Sequence, residues 1–383
     1  MDFGLNDEQL ALRDAVRRFC DEQYPAHQRG DACTDESERA RWQGLTDMGL
    51  TGLCVDEAHG GMGMGATEVM LVAQELGRAL DASAWLGSSV LAARFVSACA
   101  DPAQQARWLP ALASGQARLA LALEDDGCGA QAGGAGVTAI PDGAAWVLHG
   151  QRAMIVAGDR AHSLLIAARL GDASPDAGQP AVFRVDARDA GVALVGQRLL
   201  DGRGVGSVHL RQVRIEAHDV VGPAHRVREA LDLALDGAHA ALCAEIAGAL
   251  EALLEITCEH LRTRRQFGVP LARFQSLQHA IADMAMDLEQ VKSMAAMAAM
   301  AVEQGTPEQR VRLVAAARVL AAQVARRGAF SAIQLHGAMG MTEECRVSHY
   351  AKRLITAGQL FGDASHHATR FAAHRADLAG AWA

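Results

Sequence analysis

Aromatic side chains are scarce in this chain: 9 Phe, 5 Trp and 2 Tyr make up 4% of 383 residues. Apolar residues of all kinds still supply 50%, much of it Ala, which favours closely packed helices over a sheet-dominated fold. There is no uninterrupted apolar run of about 18 residues or more, which removes a membrane-spanning helix. Met1-Asp2-Phe3 leads into a capped helix rather than a charged-then-apolar leader, so the expectation is a soluble, cytoplasmic protein with no membrane partner. None of the 8 cysteines forms a CxxC pair, which leaves neither a zinc site nor a redox motif; buried free thiols are expected. Positive charge is also short, with 36 Lys and Arg against 45 Asp and Glu, a net charge of -9. Nucleic acid is thereby excluded as the main partner, since a backbone binder needs a basic surface to release counterions. An anionic ligand would need a local basic pocket.

The length allows two or three domains with a sizeable buried interior. Residues 1–117 read as an all-α unit: Asn6 with Gln9 forms a capping box, and Leu10, Ala15, Val16 and Phe19 follow at helical spacing. Gly60, Gly61, Gly63 and Gly65 follow the apolar Leu53-Cys54-Val55 but miss the GxGxxG spacing, and read as a flexible loop. Between 118 and 225 the pattern changes to short alternating or apolar runs, among them Ala145–Leu148, Ser163–Ile166, Ala181–Phe183, and Val208 with Leu210, then Val213 with Ile215. Turn signals at Pro141-Asp142-Gly143 and Asp201-Gly202 space these strands for a small antiparallel barrel or sandwich. Helical periodicity returns over 226–383, where Thr306, Pro307 and Gln309 start one long helix that Gly337 and Gly340 break. Gly129–Gly136 is the one soft loop. The fold class is thus mainly α with a central β domain.

The most informative stretch is Arg264-Arg265-Gln266-Phe267-Gly268, with Gln275 and Asp283 expected on the same helix. Together with Phe274, Ala282 and Met284, and with Gln334-x-His336-Gly337 and Gly340, it resembles the acyl-CoA dehydrogenase family. Phe3, Gly60-Gly61 and Leu76-Gly77 match the family's amino-terminal third, so the resemblance runs from end to end. Within the family, Ala241–Met284 looks most like the small subunit of pimeloyl-CoA dehydrogenase.

The resemblance implies FAD as cofactor, an acyl-CoA substrate and an electron-transfer acceptor, in a helical domain, β barrel and four-helix bundle arrangement. It implies that a carboxylate takes the α-proton, flavin N5 takes the β-hydride, and hydrogen bonds to the thioester oxygen stabilise the enolate. Arg264, Phe267, Gln275, Gln334, Gly337 and Ala338 would contact the adenosine and pyrophosphate of a flavin bound mainly by a neighbouring subunit. Ala338 stands where the family usually has a second Gly. Leu123 precedes Glu124 where Thr-Glu is common, and Met154-Ile155-Val156 replaces Trp-Ile-Thr, removing two hydroxyls and a stacking ring.

Both usual seats of the base are empty: Phe361 stands before Gly362 at one and Ala238 at the other. Helix geometry offers Glu245, the lone charge on a stripe of Ala238, Ala241, Leu242, Gly248, Ala249, Ala252 and Ile256. As a base it would have room for an acyl chain beside its small neighbours; as a structural group it would be bonded to an Arg or a backbone amide. Asp236 and Asp363 rank below it. Two assemblies follow, a homo-oligomer or a hetero-oligomer in which this chain completes the flavin site of a larger homologous subunit. A terminal carboxylate on the acyl chain, implied by the pimeloyl resemblance alone, would call for a basic residue in the pocket.

Overall fold

The computed structural model describes residues 4–24, 35–123, 136–171 and 179–374. Phe3, Glu124 and nearly all of the soft loop at Gly129–Gly136 lie outside them. The helices are α1 (Asp7–Gln23), α2 (Asp35–Asp47), α3 (Ala66–Arg78), α4 (Ala93–Cys99), α5 (Pro102–Ala113), α6 (Ala224–Thr263), α7 (Gln275–Gln304), α8 (Pro307–His336), α9 (Arg346–Gln359) and α10 (Ala364–Ala373). The strands are β1 (Leu119–Ala122), β2 (Thr138–Asp142), β3 (Ala145–Val156), β4 (Ser163–Leu170), β5 (Pro180–Asp186), β6 (Val192–Arg198) and β7 (Gly204–Ile215), with a two-residue hairpin of β8 (Arg265–Gln266) and β9 (Val269–Pro270). A mainly helical chain with a central sheet is therefore what these residues build. No helix among the described residues is long and apolar enough to cross a membrane.

The chain folds as two compact units, one of residues 1–32, 66–81 and 239–383, the other of 33–65 and 82–238. In the first, Asn6 and Gln9 cap α1 reciprocally, and Thr306 with Gln309 does the same for α8, which opens on Pro307. The crossing of α3 with α6 is a backbone contact. A Cβ on Gly248 would fall 1.8 Å from the carbonyl oxygen of Gln74, and one on Gly77 would fall 2.2 Å from that of Glu245. The small residues of the Glu245 stripe thus admit a neighbouring helix, and α3 fills the room expected there for an acyl chain.

The second unit holds the seven-stranded sheet, ordered β1-β4-β2-β3-β7-β6 with β5 on β4. Most pairings are antiparallel, as the strand spacing predicts, but β4 runs parallel to both β1 and β2. Its inner face is a core of Leu148, Leu164, Ile166, Phe183, Val208 and Leu210, among others. The run Val208–Ile215 is one long strand rather than two, and β6 had no clear alternation to announce it. A π-helix, Trp85–Ala92, is wholly buried and runs into α4. The glycine loop after Val55 is a bonded turn rather than a flexible segment: Gly61, Met62, Gly63 and Met64 donate backbone NH groups to Asp56, Gly52, Val55 and Leu53.

Candidate active site

Helix α6 stops at Thr263, so Arg264 and Gln275 do not share a helix as expected; the β8–β9 hairpin separates them, and Gln275 opens α7. At the hairpin tip Phe267 (φ 52°) and Gly268 (φ 80°) are both left-handed, the conformation of a tight two-residue turn. The turn usually carries Asn-Gly; an aromatic there is strained. Phe267 is also 90% exposed, touching Phe274 edge to face at 6.1 Å between centroids.

The second motif ends α8. His336 is its last residue, Gly337 turns left-handed (φ 65°), and a Cβ on Gly337 would meet nothing within 4 Å. The two helix ends are joined by their histidines: the rings of His260 and His336 stack at 4.2 Å with 25° between their planes. His336 Nδ1 is 2.9 Å from the carbonyl oxygen of Ala332. Burial, mainly, holds both imidazoles below their usual range and thus neutral. This stack, which no sequence spacing pointed to, brings Arg264 and Gln334 into one neighbourhood. Arg264, Phe267, Gln275, Gln334, Gly337 and Ala338 are all exposed, as are Arg262, Arg265 and Arg273. Arg264 forms no ion pair among the described residues. An open, basic, glycine-containing surface in a chain of net charge -9 can bind a pyrophosphate through guanidinium and backbone NH groups.

In the second unit, Leu123 follows β1 and is half-buried, while Met154 sits on a bulge of β3 at φ 55°, 54% exposed. Val156 is buried, and the π-helix lies beneath it: a Cβ on Gly87 would come within 2.7 Å of the Val156 carbonyl oxygen. The bulge turns Met154 outward, where a thioether can lie on a flat ring.

The carboxylates are accounted for differently. Glu245 is buried and Arg353, 1% exposed, approaches its Oε1 to 3.3 Å. Arg353 also donates to the carbonyl oxygens of Asp81 and Leu80, so it ties α9 to the end of α3. Glu245 is thus a carboxylate paired with an arginine beneath a helix crossing. Asp363 caps α10 through the backbone NH of His366 at 2.8 Å, and Asp236 is fully buried. Phe361 (φ 58°) and Gly362 (φ 112°) form a left-handed turn. Buried Arg318 holds that turn by donating to the carbonyl oxygens of Ala357 and Leu360, at 3.1 and 3.0 Å.

Comparison with known proteins agrees with this architecture. Residues 6–116 match the acyl-CoA dehydrogenase N-terminal domain and residues 229–373 the acyl-CoA dehydrogenase C-terminal domain. The (R)-benzylsuccinyl-CoA dehydrogenase of Thauera aromatica is 27% identical over 92% of this chain and 91% of its own. The (2S)-methylsuccinyl-CoA dehydrogenase of Cereibacter sphaeroides is 28% identical over 90% of this chain and 65% of its own. Among solved structures, the ChsE4-ChsE5 complex of Mycobacterium tuberculosis superposes with a TM-score of 0.87 at 28% identity, covering 98% of this chain and 99% of that one. The chain belongs to the acyl-CoA dehydrogenase family, oxidoreductases that act on the CH–CH group of acyl-CoA.

Proposed function

We propose that this chain serves FAD-dependent oxidation of the Cα–Cβ bond of an acyl-CoA as the smaller partner in a hetero-oligomer. It lends the Arg264 hairpin and the Gly337 turn to a flavin bound mainly by a larger homologous subunit. The observation that carries this reading is the exposed surface joined by the His260–His336 stack, set beside a Glu245 already neutralised by Arg353. The surface fits the nucleotide half of FAD: Arg264 is available to phosphate oxygens, Gly337 leaves its backbone open, and Phe267 offers a ring face to adenine. When bound, FAD would supply the acceptor for the hydride leaving Cβ. Gln275 and Gln334 would orient its polar edges.

On this reading the base that takes the α-proton comes from the partner, because Ala238 and Phe361 cannot act as one and Glu245 is engaged. The ChsE4-ChsE5 neighbour is itself a complex of two different chains, which supports such an assembly. Benzylsuccinyl- and methylsuccinyl-CoA are thioesters of substituted succinic acids, so acyl groups with a second carboxyl lie within what the relatives handle; the small subunit of pimeloyl-CoA dehydrogenase belongs to the same pattern. The test is spectroscopic. The chain purified alone should be colourless and become yellow only when co-expressed with a larger homologous subunit, and Glu245→Gln should leave turnover of that complex within about twofold. A lone chain that is yellow and bleaches with acyl-CoA would overturn the reading.

A further inference from the structure

Two imidazoles beside an arginine meant for phosphate invite assignment as further cations for the pyrophosphate. The geometry of His260 and His336 points elsewhere. Their rings lie face to face, 4.2 Å apart with 25° between the planes. Unit charges at about 4 Å repel by about 1 kcal/mol in water and about 4 kcal/mol near a protein surface, so the stacked pair resists a double charge. His336 Nδ1 lies 2.9 Å from the carbonyl oxygen of Ala332, which can only accept. The proton of the neutral ring therefore sits on Nδ1, and Nε2 presents a lone pair that turns a phosphate oxygen away. Burial holds both rings below their usual range, and the positive charges of His336 and Arg264 add to this at His260. The Ala332 carbonyl alone pulls His336 the other way, and among the described residues no carboxylate acts on either ring.

What the pair holds is backbone. Arg264 donates its backbone NH to the carbonyl oxygen of His260 at 2.8 Å, and its own carbonyl oxygen accepts from Leu271 at 2.9 Å, which closes the foot of the hairpin. On the other side His336 ends α8 and Gly337 follows it directly. Residues 262–269 are all exposed, so burial of the hairpin itself does little to place it. Its direction is set one helical turn earlier, where the rings meet. We propose that His260 is a positioning residue for the nucleotide grip, holding Arg264 against the Gly337 turn through its ring and lending no charge to phosphate. The inference rests on the nucleotide reading above and gives it a sign: the grip is firm while both rings are neutral and loosens as acid charges them.

The test combines FAD affinity of the co-expressed complex, read by fluorescence on reconstitution between about pH 7.5 and 5.5, with tryptic cleavage of the chain alone at Arg264–Arg265. His260→Ala should weaken FAD binding at the upper pH by about tenfold and quicken the cut. His260→Phe keeps a ring and takes no proton, so it should stay within about threefold of the unaltered protein in both measurements. The unaltered complex should hold FAD less tightly at the acid end, and His260→Phe should flatten that profile. Circular dichroism at each pH keeps loss of the fold out of the comparison. Affinity that rises as pH falls, with His260→Phe as damaging as His260→Ala, is the behaviour of phosphate-binding histidines and overturns the inference. So do an affinity and a cleavage rate that His260→Ala leaves unchanged. Arg264→Gln separates the two levels: if it lowers FAD affinity where His260→Ala does not, the inference alone falls, and if it too changes nothing, the nucleotide reading falls with it.

Discussion

His239 and His367 meet edge to face at 4.6 Å inside the first unit, and Arg318 Nε reaches His367 Nε2 at 3.5 Å. Burial, followed by neighbouring positive charge, lowers His367 to about 2 and holds His239 well below the usual 6.5. Both are neutral in the folded chain. Unfolding returns them to about 6.5, so below that pH the unfolded state binds more protons and stability is lost as pH falls. Above it their contribution is complete and flat. Each such group costs about 1.4 kcal/mol per pH unit well below the unfolded value. Urea unfolding at pH 7.5, 6.5 and 5.5 should therefore show a steep loss at the acid end, in a window above ordinary carboxylate titration. His162, His260 and His336 are lowered too and push the same way, so the informative quantity is the slope difference. His239→Phe should flatten it; identical slopes would show that the pair does not carry the effect. None of this was legible in the sequence, because 128 positions separate two histidines that only the fold makes neighbours.

Helix faces were legible and their partners were not. The 3.6-residue period correctly set Glu245 on one stripe with Ala241, Gly248, Ala249 and Ala252, yet small residues on a stripe serve a cavity and a close helix crossing equally well. The structure decides for the crossing, since α3 lies on Gly248 and Gly77 lies on α6. Similarly, the Arg264 motif was found from its residues, but the hairpin that parts it from Gln275 was hidden: Phe-Gly is a poor advertisement for a turn that prefers Asn-Gly. The capped starts of α1 and α8 were readable because a capping box is local chemistry. The crossing makes its own prediction. In a free helix Gly→Ala stabilises by about 1 kcal/mol. At Gly248 the added methyl would overlap a carbonyl oxygen of α3, a backbone atom that cannot swing aside, so Gly248→Ala should destabilise by about 3 kcal/mol or more. Chemical denaturation of the isolated chain reads the sign directly; a stabilised variant would mean that the crossing is looser than described.

At the scale of the whole molecule, three features of the first unit bear on the proposed nucleotide grip. Phe267, Met339 and Met341 are 90%, 60% and 69% exposed, around a basic surface, at two turns fixed by one histidine stack. An exposed aromatic in a left-handed turn costs about 1–2 kcal/mol relative to a residue suited to that conformation, and little in the isolated chain offsets it beyond the edge contact with Phe274. Strain kept at an exposed position is the mark of a residue retained for contact rather than for folding. Phe267→Asn tests this by separating the two roles. Asn accepts the left-handed turn, which gains roughly what the lost ring pair, about 0.5–1.5 kcal/mol, gives up. The melting temperature of the chain alone should therefore stay unchanged or rise slightly. The same variant co-expressed with a larger homologous subunit should lose bound flavin, read as the ratio of absorbance near 450 nm to protein, by roughly tenfold or more if the ring stacks on the nucleotide. Full flavin content in that complex would return Phe267 to a surface accident and remove the hairpin from the proposed nucleotide grip.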